Sequence, residues 1–239
     1  MTSGPLSLVL GLGEVGHPLL NVLGRAHRIL GVDLPARDVQ ESVELLHVCY
    51  PGEIPDFVGV TRAYVNRYAP EVVVIHSTVP VGTTRAVQSA IAVPVAHSPV
   101  RGKHARMEEE LLSYVKFVGA FDASVGDRVE RHFQTAGMRT RQLSSPEATE
   151  IAKLSETTYL GVLIAFAQDV ARMAAKKGVS YEEVASFYAE IGYLPPVEYT
   201  PGFIGGHCVM PNIALLKREF DSRLLDAVEW SNNLRKAER

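Results

Sequence analysis

A short aliphatic run, Leu6 to Leu10, leads straight into Gly11-Leu12-Gly13-Glu14-Val15-Gly16 and then into a helical pattern ending near Arg25. A second run, Arg28-Ile29-Leu30-Gly31-Val32, closes on Asp33, 22 residues after Gly11. Strand, glycine turn, helix, strand and acid in this register are the parts of a dinucleotide-binding βαβ unit. Gly11 permits the tight turn, Gly13 lets the backbone approach a pyrophosphate at the positive end of the helix, and Gly16 lets helix and strand pack closely. A carboxylate at Asp33 can hydrogen-bond both ribose hydroxyls of NAD and would repel the 2′-phosphate of NADP, so NAD is favoured. Arg37 nearby can pair with such a phosphate and softens the preference. The candidate cofactor contacts in this unit are Gly11, Gly13, Glu14, Val15, Gly16 and Asp33.

Continuous apolar runs at Leu45–Tyr50 and Val72–His76 suit buried parallel strands, with a helix over Ile54–Tyr68 between them. Ser77-Thr78-Val79-Pro80-Val81-Gly82-Thr83-Thr84 then leads into a helix from about Thr84 to Ile91, with Thr83 a candidate cap. Side chains at the carboxyl ends of parallel strands face the crevice where such sheets bind ligand, which adds Tyr50, Ser77 and Thr78 to the cofactor candidates. Cys49, inside the third strand, is expected to be a small core residue. After a strand at Val93–Ala96, the stretch His97 to Arg106 holds Arg101, Lys103, His104 and Arg106. These basic groups can clamp a phosphate or carboxylate, or form a solvated loop paired with Glu108, Glu109 and Glu110. Arg101, Lys103 and His104 are the substrate-binding candidates. Tyr114–Gly119 suits a strand, Gly126–Ala136 a helix and Arg139–Leu143 a closing strand.

From Glu147 to Lys177 there is no proline and one internal glycine, which predicts a helix roughly 45 Å long. Ser145 is its expected N-cap with Pro146 at the first helical position, and Gly178 follows Lys176 and Lys177 as the left-handed stop. Tyr159–Val170 is apolar around most of its circumference, which predicts burial on several sides. Lys153 and Thr157 share one face of its first turns. Ser180-Tyr-Glu-Glu183 is a capping box opening a helix to about Ile191. A loop follows to Gly202, then Gly205-Gly206-His207-Cys208, a helix over about Ile213–Phe220 and a last one over Arg223–Arg239. The expected fold is α/β: a Rossmann-type doubly wound parallel sheet over residues 1–144, then a long central helix and a small all-helical domain over 145–239.

With 46% hydrophobic residues the 239-residue chain can bury a substantial core, and its net charge of −3 gives no electrostatic reason to expect nucleic acid or an anionic membrane as partner. No apolar run reaches the roughly 20 residues of a membrane span, Met-Thr-Ser-Gly-Pro is not a signal peptide, and a cytoplasmic location is expected. Cys49 and Cys208 form no metal-binding cluster and are expected to be free thiols. The apolar girth of the 147–177 helix predicts a homodimer.

Taken together, Gly11–Gly16, Ser77-Thr-Val-Pro-Val-Gly-Thr83, Lys153-Leu-Ser-Glu-Thr-Thr-Tyr with Ile164-Ala-Phe-Ala-Gln-Asp169, and Gly205-Gly-His-Cys208 resemble the UDP-glucose/GDP-mannose dehydrogenase family, especially its UDP-N-acetylmannosamine dehydrogenase branch. The resemblance spans nearly the whole chain. It implies an NAD-binding Rossmann domain and a helical central domain whose long helix forms the dimer interface. It also implies two NAD-linked steps that take a primary alcohol of a nucleotide sugar to a carboxylate. In the implied mechanism Cys208 attacks the aldehyde intermediate, a second hydride leaves, and the thioester is hydrolysed, with Lys153 stabilising the oxyanion. Glycines beside Cys208 leave its thiol open, and His207 or a helix end can favour the thiolate. The chain departs from the family at Thr157, where asparagine is usual, and at Asn212, where an aspartate linked to water activation is usual. The family's third, nucleotide-binding domain is expected to be missing after Arg239.

The matches at Cys208 and Lys153 thus imply an NAD-dependent alcohol or aldehyde dehydrogenase acting through them on a sugar-like or other hydroxylated, anionic substrate. Two alternatives stand beside it. One is a two-electron β-hydroxyacid-type dehydrogenase that uses Lys153 and no thiol. The other is an NAD-binding sensor or subunit that has given up catalysis. For Lys153 the plain alternative is a surface lysine, and for Cys208 a structural thiol.

Overall fold

The computed structural model describes residues 4–33, 38–102, 104–193, 199–206 and 208–238. Arg37, Lys103 and His207 lie outside the described residues, as does the side chain of His104. By their contacts the residues form two compact units, Met1–Lys153 and Leu154–Arg239.

The first unit is built on a seven-stranded sheet of β1 (Leu6–Leu10), β2 (Arg28–Val32), β3 (Val43–Val48), β4 (Val72–Ile75), β5 (Val95–His97), β6 (Lys116–Ala120) and β7 (Thr140–Leu143), in the order β2-β1-β3-β4-β5-β6-β7. The reversal of direction at β1/β3 is the point where open α/β sheets leave a crevice at the strand carboxyl ends. Strands β1 to β5 pair in parallel, and all but the edge strand β2 show the near-continuous burial of such strands. The strand at 116–120 departs from the all-parallel expectation: Ala96 pairs with Ala120 and His97 with Gly119 in antiparallel register, and β7 is parallel to β6. The helices are α1 (Gly16–Leu23), α2 (Phe57–Tyr68), α3 (Thr83–Ala90), α4 (Met107–Ser113, after a short 3-10 turn at 104–106) and α5 (Ala123–Thr135). One face of the sheet packs Leu45, Val74 and Val118 under Leu19, Met107, Val129 and Phe133. The other packs Leu46, Val48, Val73 and Ile75 under Phe57, Val65, Tyr68 and Val87.

Helix α4 was not legible as a helix in the sequence, where the run of glutamates reads as partners for the preceding cations. Cys49 falls just beyond β3, half-buried at the surface of the chain but packed against the core layer that holds Leu45, Val74 and Val118. Thr83 does not cap α3 with its side chain. Gly82, at φ 89°, takes the cap position, and the Thr83 hydroxyl donates to the Pro80 carbonyl at 2.8 Å.

Helix α6 (Pro146–Lys177) begins and ends where its signals predict. The Ser145 hydroxyl accepts from the Ala148 amide at 3.3 Å. Gly178 has φ 71°, and the amides of Gly178 and Val179 return to the carbonyls of Ala175 and Ala174, a Schellman closure that only a left-handed residue makes cheaply. The boundary between the two units falls inside this helix. The second unit continues with α7 (Tyr181–Ala189), α8 (Val209–Glu219) and α9 (Arg223–Ala237). Ser180 and Glu183 form the capping box of α7. Segment 202–204 is clamped onto this unit by Gln168, which donates to the Gly202 carbonyl at 2.7 Å, and by Asn232, which exchanges two hydrogen bonds with Ile204. Burial of α6 on several sides is not what the chain shows. Tyr159 is 56% exposed, Phe166 59% and Met173 64%, because these residues recur every seven positions on one face while Ala167, Gln168, Val170 and Ala174 fill the other.

Candidate dinucleotide cradle and catalytic residues

The glycine turn is shaped by close approach. Gly11 has φ 84° and donates to the Val32 carbonyl at 3.0 Å, and a Cβ on it would lie 2.8 Å from the Tyr50 amide nitrogen. A Cβ on Gly16 would come within 1.8 Å of the Gly11 carbonyl oxygen, so α1 can cross the turn only without a side chain there. Gly13 meets nothing within 4 Å, which leaves the space that a pyrophosphate needs. Asp33, exposed after β2, accepts from the Leu12 amide at 3.3 Å, which ties the acid to the turn. These features fit a dinucleotide.

Tyr50 supplies backbone more than hydroxyl to this region. Thr61 donates to the Phe57 carbonyl at 2.7 Å, so the Tyr50 hydroxyl 2.5 Å away is its donor, and burial holds that phenol above its ordinary range. Buried Ser77 donates to the Tyr50 carbonyl at 2.5 Å, and Thr78 beside it is half-buried. His97 is fully buried between the Ser77 carbonyl and the Thr149 hydroxyl, and burial pushes it down to about 3, so it is a neutral strut.

Glu150 was missed by sequence reasoning. Buried on the first turn of α6, it accepts from the Gly82 amide (2.7 Å), the Thr84 amide (2.8 Å) and the Thr84 hydroxyl (2.6 Å). It therefore caps α3 from another helix and joins the loop after β4 to the turn of α6 that carries Lys153. Desolvation raises its pKa against the pull of these donors. No local spacing encodes a cap 66 residues away, although an acid among alanine and isoleucine was a signal.

In the basic stretch the two described cations, Arg101 and Arg106, are both engaged. Arg101 donates to the Val115 carbonyl at 2.9 Å and lies over the rings of Phe117 and Tyr114, at 4.9 and 5.5 Å from their centroids. Arg106 pairs with Glu110, while Glu108 turns to Asn21 and Arg25.

In the second unit Cys208 is exposed and stands at the N-cap position of α8, which starts four residues earlier than expected. Asn212, one turn along α8 and 6% exposed, donates to the Thr157 hydroxyl of α6 at 2.8 Å, and Thr157 donates to the Leu154 carbonyl. Thr157 and Asn212, two of the positions at which the chain departs from the resembled family, are thus bonded to each other. A Cβ on Gly161 would come within 2.8 Å of the Val209 side chain, so this glycine lets α6 and α8 approach beside Cys208. Among the described residues no group of His, Cys, Asp or Glu is arranged to hold a metal, and no helix is long and apolar enough to cross a membrane.

A doubly wound sheet opening on this glycine turn and followed by a long helix is the fold of Rossmann-type dehydrogenases. Residues 147–234 match the model of the UDP-glucose/GDP-mannose dehydrogenase family, central domain. A UDP-N-acetyl-D-mannosamine dehydrogenase of Methanocaldococcus jannaschii is 24% identical over 84% of this chain and 58% of the relative. The corresponding enzyme of Pyrococcus horikoshii is 29% identical over 69% of this chain and 43% of its own length. The chain thus spans about half the length of the curated relatives it matches. Among solved structures, UDP-D-ManNAc dehydrogenase from Pyrococcus horikoshii superposes with a TM-score of 0.84 at 20% identity, covering 98% of this chain and 69% of that one. The 3-hydroxyisobutyrate dehydrogenase of Mycobacterium tuberculosis superposes at 0.71 with 18% identity, covering 98% of this chain and 94% of that one.

Proposed function

We propose that the chain is an NAD-dependent oxidoreductase that converts a primary alcohol of a sugar or nucleotide-sugar-like anionic substrate into a carboxylate. The observation that carries this reading is the central-domain match over residues 147–234, which contains both Lys153 and an exposed Cys208 at the head of α8. In this reading residues 1–144 bind NAD and residues 145–239 form the helical domain.

The cofactor, when bound, supplies a hydride acceptor. Gly11, Gly13, Glu14, Val15 and Gly16 hold its pyrophosphate, Asp33 its ribose, and Tyr50, Ser77 and Thr78 line the crevice. Lys153 stabilises the oxyanion that develops when the alcohol gives up its proton. Loss of a hydride from the alcohol carbon to one NAD gives the aldehyde; the Cys208 sulfur adds to that carbon, a second hydride leaves it for a second NAD to give a thioester, and water releases the acid and returns the thiol. His207 assists at the thiol, Thr157 and Asn212 position the ends of α6 and α8, and Arg101, Lys103 and His104 bind the anionic part of the substrate. Cys208→Ser should leave NADH binding unchanged and abolish acid formation; acid formed at an undiminished rate would overturn the thioester route.

One observation favours a second reading. Asn212 is an amide committed as donor to Thr157, so no carboxylate stands one turn after Cys208 to activate water. A two-electron oxidation that uses Lys153 alone needs none. Two NADH per substrate support the four-electron route, and one supports the simpler reaction.

We also infer a homodimer through the 147–177 helix, supported by the exposed stripe of Tyr159, Phe166 and Met173. A monomer in sedimentation at micromolar concentration would count against it.

A further inference from the structure

On the α5 side of the sheet a line of polar side chains runs through an otherwise apolar layer. Lys116 is 4% exposed, His76 1%, His47 0% and His132 7%. Lys116 Nζ lies 3.2 Å from His76 Nδ1, His76 Nε2 lies 3.0 Å from His47 Nδ1, and His47 Nε2 lies 3.2 Å from His132 Nε2. Leu45, Val74, Val118, Val129 and Phe133 belong to the same layer. At the inner end Lys116 donates to the carbonyls of Ser98 and Pro99, just past β5. At the outer end partly exposed His27 stacks on His132 at 3.8 Å and donates to its carbonyl at 2.7 Å.

An ammonium can only donate, so Lys116 sets the polarity of the line. His76 accepts at Nδ1 and carries its proton on Nε2. His47 does the same, and His132 accepts at Nε2 and keeps its proton on Nδ1. The opposite polarity needs a neutral amine. Its two N–H groups still serve Ser98 and Pro99, while its lone pair accepts from His76 Nδ1. The two arrangements differ by one proton: three protons each cross one N···N gap, and one leaves from His132 Nδ1. Each histidine holds a single proton before and after.

We propose that Lys116 and the His76–His47–His132 line are a one-proton switch, through which solvent sets the charge buried below the carboxyl ends of β4 and β5. Burial pushes Lys116 down to about 7, aided by Lys153 and Arg101 and opposed by Cys49. His47 is held well below the usual histidine range by burial and by facing His132, Lys116 and His27. Burial does the same to His76, with Lys116, His47 and His97 adding to it, and to His132, with His27 and Arg128 adding. The histidines therefore conduct while neutral and only Lys116 stores the charge. Lys153 and Lys116 repel each other, and such coupling is reciprocal: loss of the Lys116 proton eases the ammonium at Lys153. Lys116 is thus a positioning residue for the electrostatics of the candidate site. That last step rests on the dehydrogenase reading; the proton switch does not.

The test is nitrogen-15 NMR of the imidazoles and of Lys116 Nζ in the full chain, titrated between about pH 5.5 and 9. The expected result is one shared transition. As Lys116 loses its proton, His47 and His76 move theirs from Nε2 to Nδ1, His132 moves its from Nδ1 to Nε2, and none of the three becomes an imidazolium. In Lys116→Met the transition is lost from all three rings. The proposal is overturned if His47 or His76 becomes an imidazolium in this range, or keeps one tautomer while Lys116 titrates. The wild-type titration decides this without the variant and without any measurement of turnover.

Discussion

Gly16 is the residue at which the cradle tolerates least, since an added Cβ would meet backbone rather than a movable side chain. Gly16→Ala should cost roughly 1–3 kcal/mol in urea unfolding, as overpacking does, and should weaken NADH binding measured by fluorescence. The two cysteines separate just as sharply. Cys49 is held by burial, with its thiol pushed up to about 12, whereas Cys208 is exposed at the start of a helix. A thiol-specific reagent at neutral pH should modify Cys208 alone, and peptide mapping checks it. Gly205 and Gly206, just ahead of it in the chain, made Cys208 legible as the open thiol. Nothing in the sequence showed that Asn212 and Thr157 would pair, because they are 55 positions apart and on different helices. Thr157→Val should leave the buried Asn212 amide without its acceptor and lower stability by about 1–3 kcal/mol.

Helix α6 shows how far element-level reasoning carries. Its cap, its first proline and its glycine stop are local signals, and each appears as read. Its environment is not local. The same apolar composition that predicted burial on several sides leaves Tyr159, Phe166 and Met173 on an exposed stripe. Glu150 ties the first turn of α6 to the N-terminus of α3, where two backbone amides depend on one carboxylate. Glu150→Ala should therefore lower the melting temperature by an amount equivalent to about 2 kcal/mol, the scale of a lost helix cap. Glu150→Gln, which keeps an acceptor oxygen, should cost less.

For the whole molecule the buried bases set the pH dependence of stability. His132 and His97 titrate at about 3 in the folded state against 6.5 when unfolded, so the unfolded chain binds more protons between these values. Stability is lost as pH falls through that window. Lys116 works in the same direction at higher pH: its folded value of about 7 lies below 10.5, so stability rises with pH above 7. Cys49 opposes this above 9, because its folded value of about 12 exceeds 9.0. Thermal unfolding should show stability rising from pH 5 to about 9, with the step above pH 7 contributing roughly 2–3 kcal/mol at about 1.4 kcal/mol per unit. That upper step should vanish in Lys116→Met.

What the sequence determined by itself was whatever is encoded by neighbours: the strand–turn–helix cradle with its acid, the alternation of strands and helices, and the caps of α6 and α7. These depend on φ preferences and on hydrogen bonds within a few residues, which local chemistry decides. Tertiary structure alone decided the direction of β6, the cap that Glu150 lends to α3, the pairing of Asn212 with Thr157, and the line from Lys116 to His132. Each of these joins groups far apart in the chain, and a buried polar side chain finds its partner only when folding has removed water as the competitor.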